Sequence, residues 1–155
     1  MADKPSETQR ITKYQIHLNW ARGYKERGET HRSQEDYRKA IELSPDDYTA
    51  YHELTTLLFQ LDNVEGALDI CRSFLARKTD LFSPWNDLGA LFHDQGKVAD
   101  AVDAFQKAHA LQPSDVAVRC NLAAALLDSD DEKGATALFQ DVLRTNPGEA
   151  RAHYL

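Results

Sequence analysis

Residues 82–115 read FSPWNDLGALFHDQGKVADAVDAFQKAHALQPSD, and their order of large, small and turn-forming side chains recurs along the chain every 34 residues. Six columns of this register keep their character in four copies, with Thr79 as the exception in a proline column. The columns are Ser33/Ala67/Ala101/Ala135, Tyr37/Cys71/Phe105/Phe139, Trp20/Leu54/Leu88/Leu122, Tyr24/Leu58/Phe92/Leu126, Tyr14/Tyr48/Phe82/Val116 and Pro45/Thr79/Pro113/Pro147. A fixed period of this length indicates stacked repeats, each built from one supersecondary element.

Each copy contains two stretches whose apolar residues recur at helical spacing, as Tyr51, Leu54 and Leu58 do. The stretches meet at residues that tolerate the left-handed backbone at which helices end. These are Gly28, Asp62, Gly96 and the run 129–131. The small column predicts close approach of the two helices, and the prolines predict the end of each pair. Ser83 and Pro84 are predicted as a helix N-cap and first helical residue.

The third copy also carries a family pattern: Trp85-x-x-Leu88-Gly89-x-x-Phe92, then Ala101-x-x-x-Phe105, Ala108 and Pro113. It resembles the tetratricopeptide repeat (TPR), and the resemblance covers four repeats, 14–47, 48–81, 82–115 and 116–149. It implies an all-α fold, an α-solenoid of four helix-turn-helix repeats in a right-handed superhelix. Residues 1–13 are predicted to be a flexible segment and the start of the first helix, and residues 150–155 the start of a fifth.

Composition restricts the class of protein. The 155 residues include 18 Lys and Arg against 25 Asp and Glu, a net charge of −7, with no basic stripe for a phosphate backbone. No apolar run approaches the ~20 residues that span a bilayer, and no apolar signal segment follows the N-terminal charges. The two cysteines indicate reduced thiols. We therefore expect a cytoplasmic protein that neither binds nucleic acid nor inserts into a membrane.

No catalytic, metal or cofactor constellation emerges from the sequence. The glycines between Gly89 and Lys97 are too far apart for a phosphate-binding loop, and Val98 stands where that loop needs Ser or Thr. The histidines lack metal-ligand spacing. Cys71 falls in a core column and is predicted to be a buried, inert thiol. We therefore predict a protein that is not an enzyme and needs no cofactor.

A polar column on the first helix of each pair is the main candidate for binding. It consists of Asn19, Glu53, Asp87 and Asn121. It resembles the asparagine ladder on the inner face of the TPR repeats of O-GlcNAc transferase, which grips the backbone of an extended peptide. Glu53 and Asp87 depart from that pattern, because carboxylates only accept hydrogen bonds whereas asparagine amides also donate. The alternative is a solvated inner face that holds no ligand.

The repeat phase predicts a concave binding face. Its partner-binding residues are Asn19, Arg22, Lys25, His52, Glu53, Thr56, Phe59, Asn86, Asp87, His93, Cys120 and Asn121. Basic groups cluster in the first repeat and acidic groups follow, which favours an extended or helical partner segment with positive charge along its middle. Co-chaperone TPR domains that resemble this fold bind acidic chaperone tails through a carboxylate clamp. Glu53 and Asp87 would repel such a tail, so we expect no clamp.

The leading functional prediction is a non-enzymatic protein–protein interaction module, acting as an adaptor, a scaffold or in a co-chaperone-like role. Two alternatives remain open, and both arise because residues 150–155 continue smoothly into a fifth frame. In the first alternative the chain is the substrate-docking region of a larger enzyme, such as a glycosyltransferase. In the second it is a scaffold that self-associates through an uncapped C-terminal end. The fold does not choose among pathways.

Overall fold

The computed structural model of the protein describes residues 6–148, and in this range it has eight α-helices and no strand. The helices are α1 (Glu7–Glu26), α2 (Thr30–Leu43), α3 (Tyr48–Gln60), α4 (Val64–Leu75), α5 (Phe82–Asp94), α6 (Val98–Leu111), α7 (Val116–Asp128) and α8 (Glu132–Thr145). Consecutive helices pack as four pairs, α1 with α2 through α7 with α8. The predicted all-α solenoid class is confirmed. The chain divides between Lys78 and Thr79 into an N-terminal unit with α1–α4 and a C-terminal unit with α5–α8.

The turn within each pair uses one left-handed residue, and these residues recur at the 34-residue period. They are Gly28, Asp62, Gly96 and Asp130, with φ values of 74°, 60°, 69° and 63°. Glycine adopts this conformation without steric cost, and aspartate is one of the few other residues that tolerate it. The predicted turn positions are therefore confirmed, and they set the length of each helix pair.

Helix starts follow the sequence except in two places. The Asp47 and Asp115 side chains accept hydrogen bonds from backbone N–H groups at the start of α3 and α7, at 2.9 Å each. The N-cap of α5, however, is Leu81, so the predicted start at Ser83 is wrong by two residues. Pro84 is tolerated in the first turn because the N–H it lacks has no partner there in any helix.

The first helix begins earlier than the repeat phase suggests. Ser6 and Gln9 form a capping box at its N-terminus, with each side chain bonded to the other residue's backbone N–H. Helix α1 therefore starts at Glu7, and the segment 7–13 is helical rather than loose. Residues 1–5 and 149–155, including the predicted fifth helix, lie outside the described residues.

The close approach within each pair occurs at the small column, as predicted. Ser33, Ala67, Ala101 and Ala135 are all completely buried. The Ser33 hydroxyl donates a 2.8 Å hydrogen bond to the Ala21 carbonyl, which satisfies the one polar group in the column. Gly89 is equally constrained, because a Cβ there would lie 2.7 Å from the Phe105 ring. Side-chain size at these positions sets the distance between the paired helices.

One column that looks uniform in sequence is not uniform in burial. Leu54, Leu88 and Leu122 are buried, whereas Trp20 is 55% exposed. The expectation that Trp20 is equivalent to the three leucines is wrong in this respect. Trp20 lies on the side of the first helix pair against which no earlier pair packs within residues 6–148. Trp85 also differs from a core residue, since its ring is half-buried and Lys107 Nζ lies 4.7 Å from its centroid.

Candidate interaction faces of the first helices

In the N-terminal unit, Glu53 on α3 is bonded to two neighbours. Arg22 on α1 donates from Nε to Glu53 Oε2 at 2.9 Å and to Oε1 at 3.1 Å, and its Nη2 also bonds Oε1. The Tyr37 hydroxyl of α2 donates to Glu53 Oε2 at 3.0 Å. This carboxylate therefore joins three helices. It does not present an isolated negative charge to a ligand.

These bonds set the ionisation of the cluster. Burial alone would raise the pKa of Glu53, but hydrogen bonds from Arg22 and Tyr37 outweigh it and hold that pKa below its usual value. For Tyr37, burial and the Glu53 charge raise the pKa of the phenol, so it stays a neutral donor. Arg22 and Glu53 remain an ion pair near neutral pH. The predicted basic group at this position is thus largely compensated.

The remaining candidate residues of the N-terminal unit lie along α1 and α3. Asn19 and His52 are exposed, and Lys25 is half-buried. Thr56 uses its hydroxyl on its own helix, donating to the His52 carbonyl at 2.9 Å. Phe59, one turn further along α3, is 39% exposed. It offers an exposed apolar ring next to the exposed Gln60 and one turn from Thr56, as binding anchors with polar neighbours commonly do.

In the C-terminal unit, two side-chain pairs connect α5 with α7. Asn121 Nδ2 donates to Asn86 Oδ1 at 2.9 Å. His93 Nε2 lies 2.7 Å from Asp128 Oδ2. Ala90, which is exposed, lies on α5 between Asn86 and His93.

Asp87 is half-buried on α5, next to Asn86 in sequence. Asn121 retains a second amide N–H and its carbonyl for further bonds. This unit therefore offers a hydrogen-bond donor and an acceptor from the Asn121 amide, together with the carboxylate of Asp128.

Cys120 does not fit the predicted face. It is 4% exposed and packs in a cluster with Ala123, Ala135, Phe139 and Val142. The thiol faces the partner helix α8 rather than solvent, so it is removed from the set of groove residues. The sequence did not show whether Cys120 is exposed or buried. The equivalent position in the other repeats is occupied by Leu18, His52 and Asn86, which share no chemistry.

Tyr37 also belongs to the Arg22–Glu53 cluster, although the repeat pattern does not place it there. It falls in the large apolar column, and its ring is buried as that column predicts. Its hydroxyl nevertheless reaches Glu53 on the candidate face. The available signal was the hydroxyl itself, because a buried tyrosine usually finds a hydrogen-bond partner.

The described residues form neither a metal centre nor a membrane span. Across residues 6–148, no cluster of three or more His, Cys, Asp or Glu side chains is arranged to hold a metal ion. None of the helices in that range is long and apolar enough to cross a membrane. Cys71 is fully buried, with its sulfur 3.5 Å from Thr55 Oγ1, which confirms the predicted buried thiol.

Solved structures resemble the chain in fold. A crystal structure of MamA is 17% identical over 90% of this chain and 76% of that one, with a TM-score of 0.76. PilF of Pseudomonas aeruginosa is 23% identical over 92% of this chain and 65% of that one, with a TM-score of 0.77. YrrB, described as a TPR protein with an unusual peptide-binding site, is 23% identical over 88% and 70%, with a TM-score of 0.71. At these identities the likeness concerns the fold alone.

Family comparisons address the repeats directly. No curated protein sequence matches the chain. Two tetratricopeptide repeat family models do match it, one over residues 18–81 and the other over residues 92–155. The two matches together cover most of the chain. The protein therefore belongs to the tetratricopeptide repeat family, whose domains bind protein partners.

Proposed function

We propose that the protein is an interaction module that holds an extended or helical segment of a partner protein on the first helices of its pairs. The observation that carries this proposal is the exposed Phe59 ring on α3, beside polar groups of the same helix. An apolar ring surrounded by hydrogen-bonding groups is the usual composition of a binding hot spot. The family to which the chain belongs supports the same role.

The charges of the faces indicate the kind of segment. In the N-terminal unit Arg22 and Glu53 neutralise each other, so this face favours an apolar side chain against Phe59. In the C-terminal unit, Asp128 places an exposed carboxylate at the end of α7, with its Oδ2 2.7 Å from His93 Nε2. Basic side chains of the partner would be favoured there. Such complementarity sets the orientation of the segment and its association rate more than its affinity.

Hydrogen bonding to the partner's backbone would come from amides. Asn121 uses one N–H on Asn86 and retains one donor and its carbonyl acceptor. A peptide backbone presents donors and acceptors alternately, so an amide can satisfy either. Asn19, which is exposed, offers the same pair of groups in the N-terminal unit.

The test uses peptides selected from a random phage-displayed library on the wild-type chain, with affinities measured by fluorescence polarisation. Phe59→Ala is expected to weaken peptides that bind the N-terminal unit by about tenfold, and Asn121→Ala those that bind the C-terminal unit, which equals about 1.4 kcal/mol in each case. The matched controls are Leu111→Ala, which removes a similarly exposed apolar side chain from α6, and Gln106→Ala, which removes an exposed amide. The controls are expected to retain wild-type affinity.

The opposite pattern rejects the proposal. If the peptides bind both first-helix variants as tightly as wild type, the binding surface lies elsewhere on the chain. Circular dichroism of each variant confirms that a lost affinity does not reflect lost helix.

A further inference from the structure

A second surface lies on α1, on the side of the helix that bears Trp20. We define the Trp20 face by Lys13, Ile16 and Trp20 of α1 and by Arg27, the C-cap of that helix; their separations of three, four and seven residues place them on one side. Trp20 is 55% exposed and Ile16 is 40% exposed. Large exposed apolar side chains grouped on one face usually mark an interaction site.

The repeat itself shows what kind of element covers this face. In α3, the equivalent residue Leu54 is completely buried, and α2 packs against that helix. In α7, the equivalent Leu122 packs in a cluster with Ala101 and Phe105 of α6. In both places the cover is an α-helix that presents an apolar stripe. The Trp20 face is the same interface position, and its large residues match a helix as partner.

The charges at the ends of the face restrict the partner further. Lys13 and Arg27 lie seven residues on either side of Trp20, about 10 Å away in each direction along the axis. Both side chains are exposed. Arg27 already pairs with Glu29 at 2.8 Å, so Lys13 contributes the less compensated charge. A helix with acidic side chains at the borders of its apolar stripe is complementary to this arrangement.

The same charges disfavour a second copy of the chain. If two α1 helices packed antiparallel about Trp20, Lys13 of each copy would oppose Arg27 of the other. Like charges brought together across an interface suppress that pairing. The apolar content of the face permits self-association, but its charges oppose it.

We propose that the Trp20 face docks an amphipathic α-helix of a partner protein whose apolar stripe is bordered by acidic residues. This surface is distinct from the first-helix faces described above, because Trp20 lies on the opposite side of α1 from Arg22. The proposal therefore holds or fails independently of peptide binding at Phe59.

The test uses two fluorescein-labelled helical peptides of equal length. Their apolar residues have the same four-residue spacing as Ala101 and Phe105. One peptide has glutamate at the borders of the stripe and the other has lysine. The glutamate peptide is expected to bind at least about tenfold more tightly than the lysine peptide. Trp20→Ala is expected to weaken its binding by about tenfold or more. Reversal of both charges, Lys13→Glu with Arg27→Glu, is expected to reverse the preference between the peptides.

Two controls separate this surface from other exposed apolar residues. Leu61→Ala and Leu111→Ala each remove a side chain of similar exposure outside the face. Both variants are expected to bind the glutamate peptide as wild type does. Because Trp20 is largely solvent-exposed, its replacement is expected to leave the helical content unchanged, which circular dichroism checks.

Three outcomes would overturn the proposal. The first is equal affinity for the two peptides, or no detectable binding of the glutamate peptide at a concentration of about 1 mM. The second is unchanged binding in Trp20→Ala. The third is a dimer of the free chain in sedimentation velocity that Trp20→Ala abolishes, since the face would then join two copies.

Discussion

The buried Arg119 guanidinium donates a 2.6 Å hydrogen bond from Nη1 to Asp141 Oδ2, and this bond joins α7 to α8. Its Nη2 donates to Thr145 Oγ1 at 3.2 Å. In the 34-residue register Arg119 occupies the column that holds His17, Tyr51 and Trp85 in the other repeats. A charged side chain therefore fills a position where the other three pairs use a ring.

We expect Arg119→Ala to lower the free energy of unfolding by about 2–4 kcal/mol, because it leaves a cavity and removes the bonds between α7 and α8. Arg119→Met, which fills similar space without charge, should cost less than half as much, since a buried charged group often stabilises no more than a well-packed apolar residue. Urea unfolding measures both. Equal losses in the two variants would mean that the charge, and not the volume, is what the site requires.

The second prediction concerns acid stability of the N-terminal unit. The pKa of Glu53 is held below its usual value, so its contribution to stability is complete above about pH 4.5, the unfolded value. That contribution is lost as the pH falls through the lower folded pKa. The difference in melting temperature between wild type and Glu53→Gln should therefore be largest near neutral pH and shrink below about pH 4. Melting followed by circular dichroism at several pH values tests this.

Glu42→Gln is the matched control for that experiment, because it removes an exposed carboxylate from α2. Its difference from wild type should stay small at every pH. A Glu53→Gln variant whose deficit is the same at pH 3 and pH 7 would contradict the assignment of the hydrogen bonds to the ionised carboxylate.

Most of the fold could be predicted because the repeat constrains local chemistry at a fixed period. The turn residues Gly28 and Asp62, for example, are both types that tolerate the positive φ at those positions. Burial follows the pattern less closely, since Trp20 and Leu54 share a column but, within residues 6–148, only Leu54 has a preceding helix pair packed against its helix. Side-chain pairing also escapes the pattern, because the Arg22–Glu53 bond depends on rotamers of residues 31 positions apart.

The left-handed turn column gives a third prediction. Asp62→Gly and Asp130→Gly should each raise the free energy of unfolding by up to about 1 kcal/mol, because glycine removes the steric cost of positive φ at those positions. Gly28→Ala and Gly96→Ala should each lower it by about 1 kcal/mol for the converse reason, although their Cβ atoms would meet nothing within 4 Å. Midpoints of denaturant unfolding give the sign of each change in stability. If both Asp→Gly variants are destabilised, the aspartate side chains make hydrogen bonds that outweigh the backbone cost.

The small column gives the last prediction. Ala101 is completely buried and packs in a cluster with Phe105 and Leu122, so a larger side chain there would separate α6 from its neighbours. Ala101→Leu is expected to lower the free energy of unfolding by about 1–3 kcal/mol. Ala99→Leu makes the same chemical change at an exposed position of the same helix and should alter stability by less than about 0.5 kcal/mol. If Ala101→Leu unfolds at the same denaturant concentration as Ala99→Leu, the contact between the helices is loose enough to accommodate leucine. Side-chain size in this column would then not set the distance between the helices.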